Sequence, residues 1–322
     1  MKGIMDHISH IAVQDCAESP QGISLGIRIA NLLTVLLPFG GLAAAIILLW
    51  GRGFSWVQLG LLLSMYCVTG MGITMGFHRL FTHRSFETNR LVKLALGICG
   101  SMAVQGPLLK WVATHRRHHQ HSDRADDPHS PHQHGGGILG LLRGLWHAHL
   151  GWLFLPDAPN LNRYVGDLMN DKLIRTASAL FPVWVLAGLI IPTVIGGVLT
   201  QSWIGALTGL IWGGLVRIFL VHHVTWSVNS ICHIWGSRPF RCGDESRNNF
   251  IFGVLCWGEG WHNNHHAFPN SARHGLRWWQ LDLSYLAILL LSVLGLAWNV
   301  RLPSPRNLLT KSTETQVAAR VA

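Results

Sequence analysis

Gly258-Glu259-Gly260-Trp261-His262-Asn263-Asn264-His265-His266 is the stretch on which the fold turns. Its histidines fall at i, i+3 and i+4, a spacing that on a helix sets the imidazoles on one face within about one turn. The spacing recurs in His115-Arg116-Arg117-His118-His119, and a wider pair closes Phe77-His78-Arg79-Leu80-Phe81-Thr82-His83. A lone histidine is ordinarily a solvated or hydrogen-bonded side chain. Eight of them in three clusters, in a chain this apolar, need a common reason. Metal is the best one, because neutral imidazole suits iron, zinc, copper and nickel.

Outward from these clusters, composition argues against a soluble protein. Of 322 residues, 49% are hydrophobic and 12% charged, too little charge to coat a globule. Lys and Arg number 25 against 15 Asp and Glu, a net +10. A basic balance can mean nucleic acid, but no basic run is interleaved with aromatics, so no nucleic-acid partner is expected. In a membrane protein the same balance reflects basic cytoplasmic loops and anionic lipid. Cys16, Cys67, Cys99, Cys232, Cys242 and Cys256 form no CxxC pair, and neither a disulfide framework nor a thiolate metal site is expected. The N-terminus lacks the basic-then-apolar pattern of a cleaved signal.

Residues 1–28 read as a polar, partly disordered lead-in. A membrane domain follows over 29–300, and 301–322 form a polar tail. Apolar runs at about 29–50, 54–77, 177–199 and 203–226 each reach the length of roughly 20 residues that a spanning helix takes. Gly51-Arg52-Gly53 breaks the first pair of runs, and the second ends directly at His78. Polar regions at 78–176 and 227–282 carry the histidines. Within the first, Leu91–Leu109 is apolar but interrupted by Pro107, and is expected to lie against the bilayer or dip into it. Leu283–Val300 either spans or lies in the interface.

Even numbers of spans precede every cluster, so all the histidines fall on one side. That side holds most of the arginines, whereas the intervening turns hold only Arg52, so it is expected to be cytoplasmic. The expected fold is an all-α, multi-pass integral membrane protein, its four transmembrane helices topped by a cytoplasmic helical cap holding a di-metal site. Arg217 lies within the fourth span, where snorkelling and a functional role are both open.

A catalytic zinc seldom takes more than three histidines, and eight exceed what one metal can use. Two metals sharing them fit better. With little carboxylate beside the clusters, magnesium and calcium are disfavoured. A nitrogen-rich pair at a lipid surface suits iron handling dioxygen for attack on an unactivated C–H bond.

The pattern HxxxxH, HxxHH, HxxHH among four spans resembles the membrane fatty acyl desaturases. Asn229-Ser230-Ile231-Cys232-His233 is similar to the family's NSxxH element, and Asp127-Pro128-His129, His149-Leu150-Gly151-Trp152 and Gly258-Glu259-Gly260 also resemble family sequence. The likeness covers roughly residues 30–300 and is specific to the branch that introduces the first double bond, typically at carbon 9. It implies two Fe2+ ions held by His78, His83, His115, His118, His119, His233, His262, His265 and His266, with Asn229 reaching metal through water. It implies dioxygen as co-substrate, two electrons from a separate ferredoxin or cytochrome b5 with its reductase, and a cis double bond in an acyl chain as product.

In the family's pattern Gln105, Trp111, Thr225 and Trp226 occupy the bend of a substrate tunnel. Tyr66 and Gly70 stand where its end closes, with Gly70 leaving room for a longer tail. Where animal acyl-CoA enzymes carry Asn, Arg and Asp, this chain has Gly106, Ala113 and Thr114, which leaves the head group open among coenzyme A, lipid and carrier protein. The other histidines, including His121, His129, His222 and His223, are expected to support the ligands or to be solvated. Competing readings are a di-iron membrane hydroxylase or ketolase, a haem-binding electron carrier and a metal transporter. Haem wants paired histidines facing each other within the spans, and a transporter wants acidic residues there, which these spans lack.

Overall fold

A computed structural model describes residues 24–48, 54–156 and 159–313. The lead-in before residue 24, Cys16, the Gly51-Arg52-Gly53 break and the tail beyond residue 313 lie outside the described residues. Four helices are long and apolar enough to cross a membrane, Leu25–Ile47, Trp56–Thr82, Phe181–Thr200 and Trp203–His233. They coincide with the expected runs, but the second and fourth continue past the expected ends, into the histidine region. Hydropathy drops there because the helix passes from lipid into protein, while backbone hydrogen bonding carries on.

Helix α1 is Leu25–Leu48, and α2 is Trp56–Met71, opened by a Ser55/Gln58 capping box and continued by a π-helical stretch, Gly72–Thr82, that is wholly buried. The cap is built first from α3 (Arg90–Ser101), α4 (Leu108–His121), α5 (Gly137–His149), α6 (Leu161–Met169) and α7 (Lys172–Ala179). The chain returns through α8 (Phe181–Thr200) and α9 (Trp203–Gly209), and a π-helical stretch, Leu210–Val216, leads into α10 (Arg217–Ser230). Short helices α11 (Phe250–Leu255) and α12 (His262–Ala267), then α13 (Leu283–Val293) and α14 (Pro305–Lys311), finish the cap. A two-stranded antiparallel ribbon pairs β1 (Glu87–Thr88) with β2 (Ala297–Trp298). Helix α13 has 11 residues, about 16 Å of rise against a hydrocarbon core of about 30 Å.

Burial separates the spans. Only 17% of the first and third is buried against 50% of the second and fourth, so α1 and α8 are the outer pair. Helices α8 and α9 approach closely at small residues: a Cβ on Gly196 would lie 2.4 Å from the Gly205 carbonyl. Phe77, Phe81, Phe86, Leu108, Val112 and Ile288 pack the core that joins α2 to the cap.

Arg217 does not snorkel. It is fully buried, and its guanidinium donates to the carbonyls of Gly213 (3.1 Å), Met102 (2.7 Å) and Gly188 (2.7 Å). The Gly188 bond has a backbone cause. Its normal helical donor would be residue 192, which is Pro192 and has no N–H. Arg217 supplies the missing donor across the helix pair. Beside it, His222 Nε2 lies 2.9 Å from the Ala103 carbonyl and 3.1 Å from that of Val104. Together they pin the turn between α3 and α4, where Val104 takes φ +62°.

Candidate metal centre and adjoining cavity

His78 and His83 are five apart, a spacing that splays side chains on an α-helix. The π-helical stretch corrects this, because its i to i+5 repeat stacks them, and the His83 amide bonds the His78 carbonyl at 3.1 Å. The paired boxes then divide in a way that spacing alone does not reveal. His115 and His119, an i, i+4 pair on α4, join His78, His83 and His265. His262 and His266, the i, i+4 pair on α12, join His118 and His233. Each HxxHH box thus gives its pair to one cluster and its remaining histidine to the other. All nine expected histidines come together, as a group of five and a group of four with candidate ligand atoms within 4.8 Å of one another.

The nitrogens converge on one another. His78 and His265 Nε2 are 3.1 Å apart, His265 and His119 2.9 Å, His119 and His115 3.1 Å. In the other cluster His233 and His262 Nε2 lie 3.0 Å apart. Buried Nε2 atoms of His83, His118 and His266 have no hydrogen-bond partner. Orphaned buried acceptors facing one another are costly unless a cation satisfies them. Two ligands about 2.1 Å from one ion stand about 3.0 Å apart at right angles and about 3.4 Å apart at the tetrahedral angle. The observed contacts are of this size, so the donor set fits metal ions.

Carboxylates back these imidazoles, correcting the expectation that few stand nearby. His78 Nδ1 meets Glu259 at 2.6 Å, His118 Nδ1 meets Asp127 at 2.9 Å, His233 Nδ1 meets Asp123 at 2.9 Å, and His266 Nδ1 meets Asp244 at 2.8 Å. They occupy the Nδ1 side, fixing ring orientation and leaving Nε2 as the ligand atom. Burial alone would raise the pKa of Asp127, but the His118 charge and hydrogen bond pull it well below the usual carboxylate range. Burial likewise opposes charge on His118, and Asp127 outweighs it, so this imidazole favours added positive charge. His83, His115, His119, His262, His265 and His266 are driven far below the usual histidine range, first by burial and then by one another. They stand neutral, the form that binds metal.

A cavity of about 940 Å³ opens beside the clusters. Its wall includes His78 and His115 from the group of five and His262 from the group of four, so it reaches both. Gln105, Trp111, Thr225 and Trp226 all line it, and Asn229 lies in its wall. The Trp111 indole donates to Gln105 Oε1 at 3.2 Å and stacks on His115 at 5.0 Å.

Tyr66 and Gly70 are not in this wall. The space over Gly70 is taken by Trp257, whose ring a Cβ there would meet at 2.1 Å, and the Tyr66 ring packs on the same indole at 4.5 Å. Gly70 therefore makes room for an indole. Trp257 sits at φ +47°, one residue after Cys256, which does line the cavity. The remaining histidines divide as well: His129 packs on His118 at 4.4 Å, and His149 and His223 pair at 3.0 Å between α5 and α10. His274, not singled out in the sequence, is buried 3.3 Å from Glu259.

The sequence model for fatty acid desaturases matches residues 54–292. The chain belongs to the fatty acid desaturase family. It is 48% identical over 277 residues to a hex-5-enoyl-[acyl-carrier protein] acetylenase of Moorena producens (strain JHB), covering 85% of this chain and 86% of that one. It is 42% identical over 252 residues to an sn-1 stearoyl-lipid 9-desaturase of Anabaena variabilis, covering 77% and 86%. It is 39% identical over 261 residues to a chloroplastic palmitoyl-monogalactosyldiacylglycerol delta-7 desaturase of Arabidopsis thaliana, covering 78% and 64%. The chain is thus a membrane desaturase whose histidine clusters can hold metal, and its relatives differ in head group and bond position.

Proposed function

We propose that this desaturase inserts a cis double bond at carbon 9 of a saturated acyl chain, using dioxygen and two irons. The observation that carries the reading is a cavity, sized for a lipid chain, whose wall contains imidazoles from both clusters. His78, His83, His115, His119 and His265 would hold one iron, and His118, His233, His262 and His266 would hold the other, with Asn229 in support. When bound, the iron pair activates dioxygen for removal of hydrogen from an unactivated C–H bond.

The chain's own residues supply placement. Trp111 is pinned between Gln105 and His115, and with Thr225 and Trp226 it bends the acyl chain so that one pair of carbons faces the imidazoles. Asp123, Asp127, Asp244 and Glu259 keep the Nδ1 protons of their histidines, so Nε2 faces inward. The apolar wall excludes water from the reacting carbons. The clusters face the cytoplasm, where a separate ferredoxin or cytochrome b5 delivers electrons, and α13 lies in the membrane interface.

Fatty-acid analysis of a desaturase-deficient host expressing the chain tests this reading. Accumulation of cis-9 monounsaturated chains is expected. Hydroxylated or keto lipids in their place would identify the related hydroxylase or ketolase chemistry instead.

A further inference from the structure

Resting on the desaturase reading, we infer that Trp257 is the stop against which the tail of the acyl chain ends, and so the residue that sets the longest chain this enzyme takes. The second span runs from the membrane up to the cap, so depth increases as its residue numbers fall. Its deepest residues in the cavity wall are Ile73 and Thr74. Gly70 stands one turn, about 6 Å, below Thr74 on the same face. The Trp257 ring occupies the space over it: a Cβ on Gly70 would meet two ring carbons at 2.1 and 2.2 Å. Trp257 follows directly on Cys256, which lines the cavity. The stop therefore comes from the turn ahead of the third histidine cluster, and α2 makes room for it.

The indole is held as a wedge. Its backbone takes φ +47°, a left-handed conformation that a bulky residue keeps only where its surroundings enforce it. The Tyr66 ring packs on the indole at 4.5 Å, while the Tyr66 hydroxyl donates to the Leu255 carbonyl at 2.9 Å. The Trp257 carbonyl accepts the Ser284 amide at 3.1 Å, and the Ser284 hydroxyl bonds that of Thr74, in the cavity wall, at 2.7 Å. Trp257 is thus tied on both flanks to residues of the second span and to α13, and it is buried. A stop so fixed discriminates by length, because one methylene gaining or losing its place in an apolar pocket changes kcat/KM about 10–200-fold.

The test feeds an equal mixture of even-chain saturated acids, from octanoic to behenic, to a desaturase-deficient host expressing the full-length enzyme. The monounsaturated fraction is read at each length, and the ratio of variant to wild type cancels the host's own handling of the acids. In the wild type, conversion should fall at least about tenfold between two neighbouring acids of the series. Trp257→Leu frees the turn over Gly70, room for about four methylenes, and should move that fall to chains about two to four carbons longer. The double bond should stay at the same carbon counted from the carboxyl end. Trp257→Phe, which keeps a ring against Tyr66, should move the fall in the same direction by less. Adding Gly70→Leu to Trp257→Leu refills the space and should return the fall to its wild-type place. An unmoved fall in an active Trp257→Leu or Trp257→Phe enzyme, a double variant that behaves as the single one, or no fall in the wild type would overturn the inference while leaving the desaturase reading intact. No double bond at any length in the wild type would overturn that reading itself.

Discussion

Asp127→Asn should release one metal and leave the other bound. Asp127 accepts from His118 Nδ1 through both oxygens, at 2.9 and 3.1 Å, and the same oxygens accept the amides of His129 (3.1 Å) and Asp123 (2.8 Å). Asparagine has one oxygen. Either orientation turns its NH2 toward a backbone N–H and toward His118. His118 Nδ1–H is left with one neutral oxygen to donate to, beside an NH2 that opposes it, so the hold on the ring and on its Nε2 ligand atom weakens. The lost charge-assisted bond is worth about 1.5–3 kcal/mol. That agrees with the roughly 10–100-fold loss of metal affinity expected when such a partner is removed. Competition against a graded chelator series, read as metal per chain, should show one site weakened by this factor and the other unmoved. Equal weakening of both sites, or neither, would refute the partition of the histidines.

Arg217→Met strips the donor from the Met102 and Gly188 carbonyls, costing about 1–3 kcal/mol for each. It should lower the melting temperature in detergent and blur the double-bond position, because the turn leading to Gln105 loosens; sharp regiochemistry in a folded variant would contradict this. Gly70→Ala drives a methyl into Trp257 and should destabilise by about 1–3 kcal/mol, with Trp257→Leu in the same chain restoring stability. The absence of rescue would place the clash elsewhere. The metal-free protein should lose stability on acidification. Its six depressed imidazoles bind fewer protons folded than unfolded once pH falls below the usual 6.5. Each contributes at most about 1.4 kcal/mol per pH unit, so a melting temperature that rises between about pH 7 and 5 would contradict the burial.

Four spans and nine histidines were legible because both leave local signals, an apolar run and a helical spacing. What stayed hidden is tertiary. The i, i+3, i+4 pattern says that imidazoles share a face, but not that α4 and α12 aim that face between two centres. The five-residue separation of His78 and His83 did carry a hint, since only a π-helical repeat stacks it. Asp123, Asp127, Asp244 and Glu259 reach their histidines by folding of loops whose sequence gives no ligand spacing. Trp257 and Gly70 are far apart in the chain, so nothing near Gly70 announces the indole that fills it. Arg217 was visible as an oddity, whereas its cause, the donor missing at Pro192, lies on another helix.

The central claim is that the two imidazole clusters each hold an iron that desaturation requires. Metal analysis of the purified active protein tests it most directly, alongside His265→Ala and His262→Ala. About two irons per chain are expected in the active protein, with each variant inactive, folded and short of one iron from a different site. Zinc as the sole metal in an active preparation, or full activity in either variant, would contradict the claim.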